Sequence, residues 1–347
     1  MPQDTHVAVR DPVLPAAQAD LHAVDITEGG QVLLQALPSS LPAARGNTLL
    51  VPASTRRSLQ LFELTPAGVV QQLTATGTHC TGRYVPGRRT VVIEHDWGVG
   101  SASQLSLLNL VATYLPAGLE GFHLLAHGAG ITHRLLQVHS RGVLYLSDER
   151  KRGIMDLWWR DWLLGCRLVA QDLPIDLQAS CTPDGRMCAT YSRIGNCVAL
   201  VCLETGHAER YQLPTRIPII SVAVTPDGRA AHLTYCDHHE HGTLEFSPAA
   251  GLRDMPSLGH VITGGFCPDG AYTVVFDHTG PRIRILDATA REVAAWQLPV
   301  DRRHTSEAEY MAQCYVVWSP KSRQAVIDAC HRAWRVELAE RRVTTLW

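Results

Sequence analysis

Thr225-Pro-Asp-Gly-Arg229 sits between the alternating run Ile220-Ser-Val-Ala-Val224 and the return Ala230-Ala-His-Leu-Thr-Tyr235, and this stretch decides the fold. Proline presets φ for the first corner of a tight turn, and glycine takes a conformation that other residues resist. Alternating runs on both sides of such a turn are the pattern of antiparallel strands. The turn recurs as Thr182-Pro-Asp-Gly-Arg186 and Cys267-Pro-Asp-Gly-Ala271, and in altered form as Ser319-Pro-Lys-Ser-Arg323. Its prolines, Pro183, Pro226, Pro268 and Pro320, are 43, 42 and 52 residues apart. Regular spacing of this size marks a repeat architecture, and repeats made of strands and tight turns mean a propeller.

The flanks fill out the repeat. Gly242-Thr-Leu-Glu-Phe246 completes one unit, and the next contains Ile262-Thr-Gly-Gly-Phe266, Tyr272-Thr-Val-Val-Phe276, Arg282-Ile-Arg-Ile-Leu286 and Glu292-Val-Ala-Ala-Trp296. Four short strands are the content of one blade. Weaker turns at Thr27-Glu-Gly-Gly30, Tyr84-Val-Pro-Gly-Arg88 and Val138-His-Ser-Arg-Gly142 extend the series backwards. The expected fold is all-β, a seven-bladed β-propeller with four antiparallel strands per blade; six or eight blades stay open, because the first blade contains a long Pro/Ala-rich insertion at 37–57. The expected blades are residues 20–75, 77–116, 120–173, 174–215, 217–257, 259–306 and 308–347, one domain over 20–347 after an N-terminal segment 1–19. Thr5–Arg10 is a candidate partner for the last blade, and Thr305–Tyr310 the nearest approach to a helix.

The chain has 347 residues, 46% hydrophobic and 18% charged, enough to bury a large core without disulfides or metals. Lys+Arg at 31 against Asp+Glu at 33 leaves a net charge of −2, which argues against a nucleic-acid binder or a polybasic membrane binder. The start, Met1-Pro-Gln-Asp-Thr-His, has no signal-peptide pattern, and no run approaches the roughly 18 apolar residues of a membrane span. Ten cysteines form no CxxC pair, and Cys188, Cys197, Cys202, Cys236 and Cys314 fall in apparent strands, where cysteine packs as a small apolar residue. This composition reads as free thiols in the cytoplasm.

Several stretches resemble a known family. They are Gln72-Leu-Thr74, Arg83-Tyr-Val-Pro-Gly87, Val91-Val-Ile-Glu-His-Asp96 and Gln104-Leu-Ser-Leu-Leu-Asn-Leu110, then Leu144-Tyr-Leu-Ser-Asp-Glu-Arg150 with Met155-Asp-Leu-Trp-Trp-Arg160. Together they resemble the propeller of the prolyl oligopeptidase family. The family's hydrolase domain carries a nucleophile elbow, and no G-x-S-x-G occurs here; Gly100-Ser-Ala-Ser103 lacks the second glycine. The resemblance therefore implies the propeller without the peptidase.

In a propeller the starts of the innermost strands and the loops between second and third strands share one face, around the channel mouth. On the expected strands, 12 of the 17 histidines fall there. Histidine transfers protons near neutral pH when carboxylates orient it. The expected catalytic group is His95, Asp96, His238, Asp277, His278 and His331. Trp97, Arg150, Arg193, His79, His260 and Tyr310 are the expected ligand-binding group. Asp237-His-His-Glu-His241 is dense in metal-ligand types, but adjacent loop residues rarely converge on one ion, so no metal is assigned. A Cys330–His331 nucleophile pair is the weaker reading, since Cys330 also suits a packed strand.

These residues point first to a small-molecule enzyme of specialised metabolism, of cyclase, lyase or isomerase type. No redox motif or phosphate loop is apparent and the only lysines are Lys151 and Lys321, so no cofactor is expected. The alternative is a non-catalytic propeller binding a ligand or a protein. A third reading, an accessory whose hydrolase is a separate chain, follows from the resemblance alone. A small molecule in the channel mouth is the expected partner, with a protein partner possible and neither nucleic acid nor membrane expected.

Overall fold

The computed structural model describes residues 9–10, 21–37, 59–74, 79–96, 104–109, 122–126, 133–147, 154–174, 178–193, 195–214, 217–236, 241–255, 260–277, 282–297, 314–329 and 332–347. These contain strands and turns. The stretch Thr305–Tyr310 lies outside them. Among the described residues, no helix is long and apolar enough to cross a membrane.

The chain divides into two compact units, Ala17–Ile175 and the combination of Met1–Ala16 with Asp176–Trp347. The first holds three four-stranded sheets. They are β2 (Leu21–Ile26), β3 (Val32–Ala36), β4 (Gln60–Leu64) and β5 (Val70–Gln72); β6 (His79–Tyr84), β7 (Thr90–Asp96), β8 (Gln104–Asn109) and β9 (Phe122–Ala126); and β10 (His133–His139), β11 (Gly142–Ser147), β12 (Ile154–Asp161) and β13 (Gly165–Pro174). Phe122–Ala126 pairs antiparallel with β8, so the second sheet runs past the boundary expected near residue 116. Phe-His-Leu-Leu-Ala reads equally well as the opening strand of a following unit, which is why pattern alone misplaced it.

The second unit holds β14 (Gln178–Cys181), β15 (Met187–Ser192), β16 (Cys197–Cys202) and β17 (Ala208–Gln212), then β18 (Ile219–Val224), β19 (Ala231–Cys236), β20 (His241–Ser247) and β21 (Gly251–Asp254). The remaining strands are β1 (Val9–Arg10), β22 (His260–Phe266), β23 (Tyr272–Asp277), β24 (Arg282–Asp287), β25 (Glu292–Gln297), β26 (Tyr315–Trp318), β27 (Gln324–Ala329), β28 (Arg332–Glu337) and β29 (Arg342–Thr345). They form one nine-stranded sheet in the order β1-β29-β28-β27-β26-β22-β23-β24-β25. Val9 and Arg10 pair in parallel with Val343 and Thr344, within the segment expected to do so.

The described strands thus form six hydrogen-bonded sheets, not the seven separate ones expected. The merger happens where β22 and β26 pair in parallel through Thr263 and Tyr315. Glycine is the cause. A Cβ on Gly264 would collide with the carbonyl oxygen of Val316, and the backbone there has φ +73°. The Trp318 indole Nε1 donates to the Gly264 carbonyl at 2.9 Å across the same seam.

The Pro-Asp-Gly turns close as their chemistry dictates. In one, Gly228 N–H donates to the Thr225 carbonyl at 2.8 Å with φ +72°, and Asp227 Oδ1 accepts from Thr225 Oγ1 at 2.7 Å and Arg229 N at 3.1 Å. Apolar residues from successive sheets bury one another: Leu33, Leu61, Tyr84, Val91 and Ile93 form one such cluster, and Val92, Leu105, Val138, Val143 and Tyr145 belong to another. Apolar clusters lying between sheets, with short turns at the strand ends, are propeller packing.

Candidate functional site

The strand starts that matter lie in the unit Ala17–Ile175. His79 opens β6 directly opposite Asp96, the last residue of β7. One register step in, His95 lies between Cys80 and Gln104. His95 is only 4% exposed, and desolvation lowers its pKa to about 4. It is a neutral strand residue, not the solvent-accessible loop histidine that the sequence suggested.

The corresponding end of the next sheet carries a second polar row. His133 opens β10 opposite Ser147, the last residue of β11, and Ser147 in turn faces Asp156 on β12. All three are buried, at 3%, 1% and 6% exposure. The His133 ring meets the Tyr145 ring edge-on at 5.8 Å. Ser147 Oγ has no hydrogen-bond partner among the described residues. The hydroxyl occupies the middle of this row, whereas a hydrolytic triad needs the imidazole there. The row can bind but is not built to make Ser147 a nucleophile. Glu94 ties the two sheets together at this end, its carboxylate accepting the Leu135 N–H at 2.7 Å. Among the described residues no group of three histidines, cysteines or carboxylates is placed to hold a metal ion.

The other expected residues scatter. His260 opens β22 opposite Phe276, and Asp277 ends β23 opposite Arg282. Arg193 is exposed in the turn between β15 and β16. His238, His278, His331, Trp97, Arg150 and Tyr310 lie outside the described residues.

One polar network escaped sequence reasoning. Asp25 accepts the N–H groups of Tyr84 at 2.6 Å and Ile26 at 2.9 Å. Desolvation raises its pKa to about 6, against the pull of Arg83 and these two bonds. Nearby, buried Glu63 accepts from Tyr84 Oη at 2.9 Å and from both terminal nitrogens of Arg89 at 3.0 Å. Burial and the Glu63 carboxylate hold the Tyr84 phenol far above its ordinary range. The available signal was positional: Asp25 stands two residues before the first turn on a strand of otherwise apolar alternation.

The chain resembles the propeller of the prolyl oligopeptidase family. A prolyl endopeptidase superposes with a TM-score of 0.59 at 10% identity, over 96% of this chain and 50% of the other. Puromycin hydrolase gives 0.61 at 14% identity, over 98% and 56%. The chain therefore spans about half the length of these two. An oligogalacturonate lyase in complex with manganese gives 0.60 at 12% identity, over 93% and 90%. Identities this low establish a β-propeller fold and nothing finer. No protein-family model and no curated protein sequence matches the chain.

Proposed function

We propose that this chain binds a small polar molecule at the end of its second and third sheets, where β6 and β10 begin. Ser147 carries the reading. A buried hydroxyl without a partner costs about 1–3 kcal/mol, and such a cost calls for a partner that arrives from outside. His133 and Asp156 flank it, so the arriving group is a hydroxyl, carboxyl or amide. We read the nine-stranded sheet as two blades joined at the Thr263–Tyr315 seam, which makes the propeller seven-bladed. The free thiols of Cys166, Cys188, Cys202 and Cys267 support a cytoplasmic location.

A second reading keeps the same site and adds turnover of cyclase, lyase or isomerase type within a biosynthetic reaction sequence. Its support is the strand register that sets Asp96 opposite His79, the two residue types that proton transfer uses.

Thermal-shift screening with small polyhydroxy and carboxylate compounds tests both readings. A ligand should raise the wild-type transition by mass action and fail to raise that of Ser147→Ala. Asp96→Asn should keep binding and lose turnover if the second reading holds. Equal ligand shifts in wild type and Ser147→Ala would remove this site from consideration.

A further inference from the structure

The hairpin joining β12 to β13 ends in Asp161-Trp-Leu-Leu-Gly165, and its two leucines stand out in solvent: Leu163 is 91% exposed and Leu164 is 86% exposed. Leu168 follows on β13 at 38%. Single exposed leucines are ordinary, but adjacent ones at a projecting tip mark a contact surface. The tip is held in place. Asp161 Oδ1 accepts the N–H groups of Leu163 at 2.9 Å and Leu164 at 3.1 Å. The Trp162 N–H donates to the Arg141 carbonyl at 3.0 Å and its indole Nε1 to the His139 carbonyl at 3.3 Å, while its ring packs against the Val92, Leu105, Val138 cluster. Gly165 turns the chain at φ +89°. The exposure of the leucines is therefore built into the fold.

The surrounding charge is positive. Arg160 and Arg167 lie on the two strands behind the tip, within two register steps of the Asp161–Gly165 pair. Arg141 stands on the neighbouring turn that Trp162 grips. The carboxylate at the tip, Asp161, is already engaged by two N–H groups. A second copy of the chain docking here about a two-fold axis would set arginines against arginines. An anionic surface with an apolar layer beneath it matches both features.

We propose that the β12–β13 hairpin is a membrane-surface contact: Leu163 and Leu164 enter the headgroup–acyl boundary, and Arg141, Arg160 and Arg167 engage lipid phosphates. Leucines bury apolar area at that depth, and guanidinium groups on long stems stay at the phosphate level. Planar guanidinium matches phosphate oxygens two at a time. The net charge of −2 describes the whole chain and does not oppose a local basic patch. Binding is reversible, because two leucines and three arginines fall far short of an anchor.

Sedimentation of the full chain with vesicles tests the proposal. Wild type should bind vesicles of phosphatidylcholine containing phosphatidylserine, less so as salt rises, and bind pure phosphatidylcholine weakly. The double change Leu163→Asp with Leu164→Asp should weaken binding roughly tenfold or more. Arg160→Gln and Arg167→Gln should each cost about fivefold, on the anionic vesicles only. These positions are at the surface, so the thermal transition of each variant should stay near wild type and confirm folding. Absence of wild type from the phosphatidylserine pellet overturns the proposal, as does unchanged binding by the leucine variant. A dimer in sedimentation velocity that the leucine variant dissolves assigns the tip to a second copy instead and equally overturns it.

Discussion

Asp25 Oδ2 accepts the main-chain N–H of Tyr84 at 2.6 Å, so a carboxylate on the first sheet holds the last residue of the innermost strand of the second. Ser180 does the same in the other unit, accepting the Val224 N–H at 3.3 Å. Asp25 and Ser180 each stand two residues before a turn, and Tyr84 and Val224 each stand immediately before one. One clasp recurs with a charged and a neutral acceptor. Asp25→Ala should leave the Tyr84 N–H unpaired and cost about 1–3 kcal/mol in urea unfolding, while Asp25→Ser should recover part of that loss. Equal losses in both variants would show that the clasp is not what Asp25 contributes.

Buried His95 and half-buried Asp25 give the stability pH dependences of opposite signs. The His95 pKa falls from 6.5 to about 4, so the unfolded chain binds the proton more readily. Its contribution is complete above pH 6.5 and is lost as pH falls towards 4. The Asp25 pKa rises from 3.8 to about 6, so the folded chain holds that proton; its contribution is complete below 3.8 and is lost as pH rises through 6. Each is worth a few kcal/mol, because every tenfold change in proton affinity on folding corresponds to about 1.4 kcal/mol. Relative to wild type, His95→Gln should gain stability as the solution is acidified across this window. Asp25→Asn should gain as it is made alkaline. Urea titrations at steps between pH 4 and 7 read both, and variant curves parallel to wild type would refute the assignment.

Gly264 is the residue on which the nine-stranded sheet depends. Alanine there would meet the Val316 carbonyl and would sit at φ +73°, a backbone conformation that residues with a Cβ rarely adopt. Gly264→Ala should cost about 2–4 kcal/mol and open the Thr263–Tyr315 pairing, seen as faster amide exchange at β22 and β26. By contrast, a Cβ on Gly87 meets nothing, so Gly87→Ala should pay only for its φ of +74°. Amide exchange in Gly264→Ala matching wild type would mean the seam does not need the glycine.

Much of the fold was legible because its marks are local. Proline, aspartate and glycine at fixed turn positions, with alternation on both sides, specify hairpins without knowledge of distant contacts. The sheet count was not legible, since the Thr263–Tyr315 seam depends on how closely two backbones approach. The nearness of His79, His133 and His260 to strand starts was legible, although His123, grouped with them, falls in β9. Their surroundings were not: burial of His95, and the alignment of Ser147 with His133 and Asp156, follow from strand register and packing between sheets. Leu163 and Leu164 carry no mark of exposure in the sequence, and the Asp161 cap on the turn explains why they point outward.

Ser147 and Ser192 are both buried serines at the ends of second strands, and they make opposite predictions. Ser192 Oγ accepts the Gly195 N–H at 2.8 Å, at 0% exposure. Ser192→Ala would strand that N–H and should destabilise the fold by about 1–2 kcal/mol. Ser147 Oγ has no hydrogen-bond partner among the described residues, so Ser147→Ala removes a desolvated hydroxyl and should leave stability unchanged or raise it by up to about 1 kcal/mol. Urea midpoints of the two variants provide the comparison. A destabilised Ser147→Ala would show that the hydroxyl is satisfied in solution, and the case for an external partner at His133 and Asp156 would fall with it.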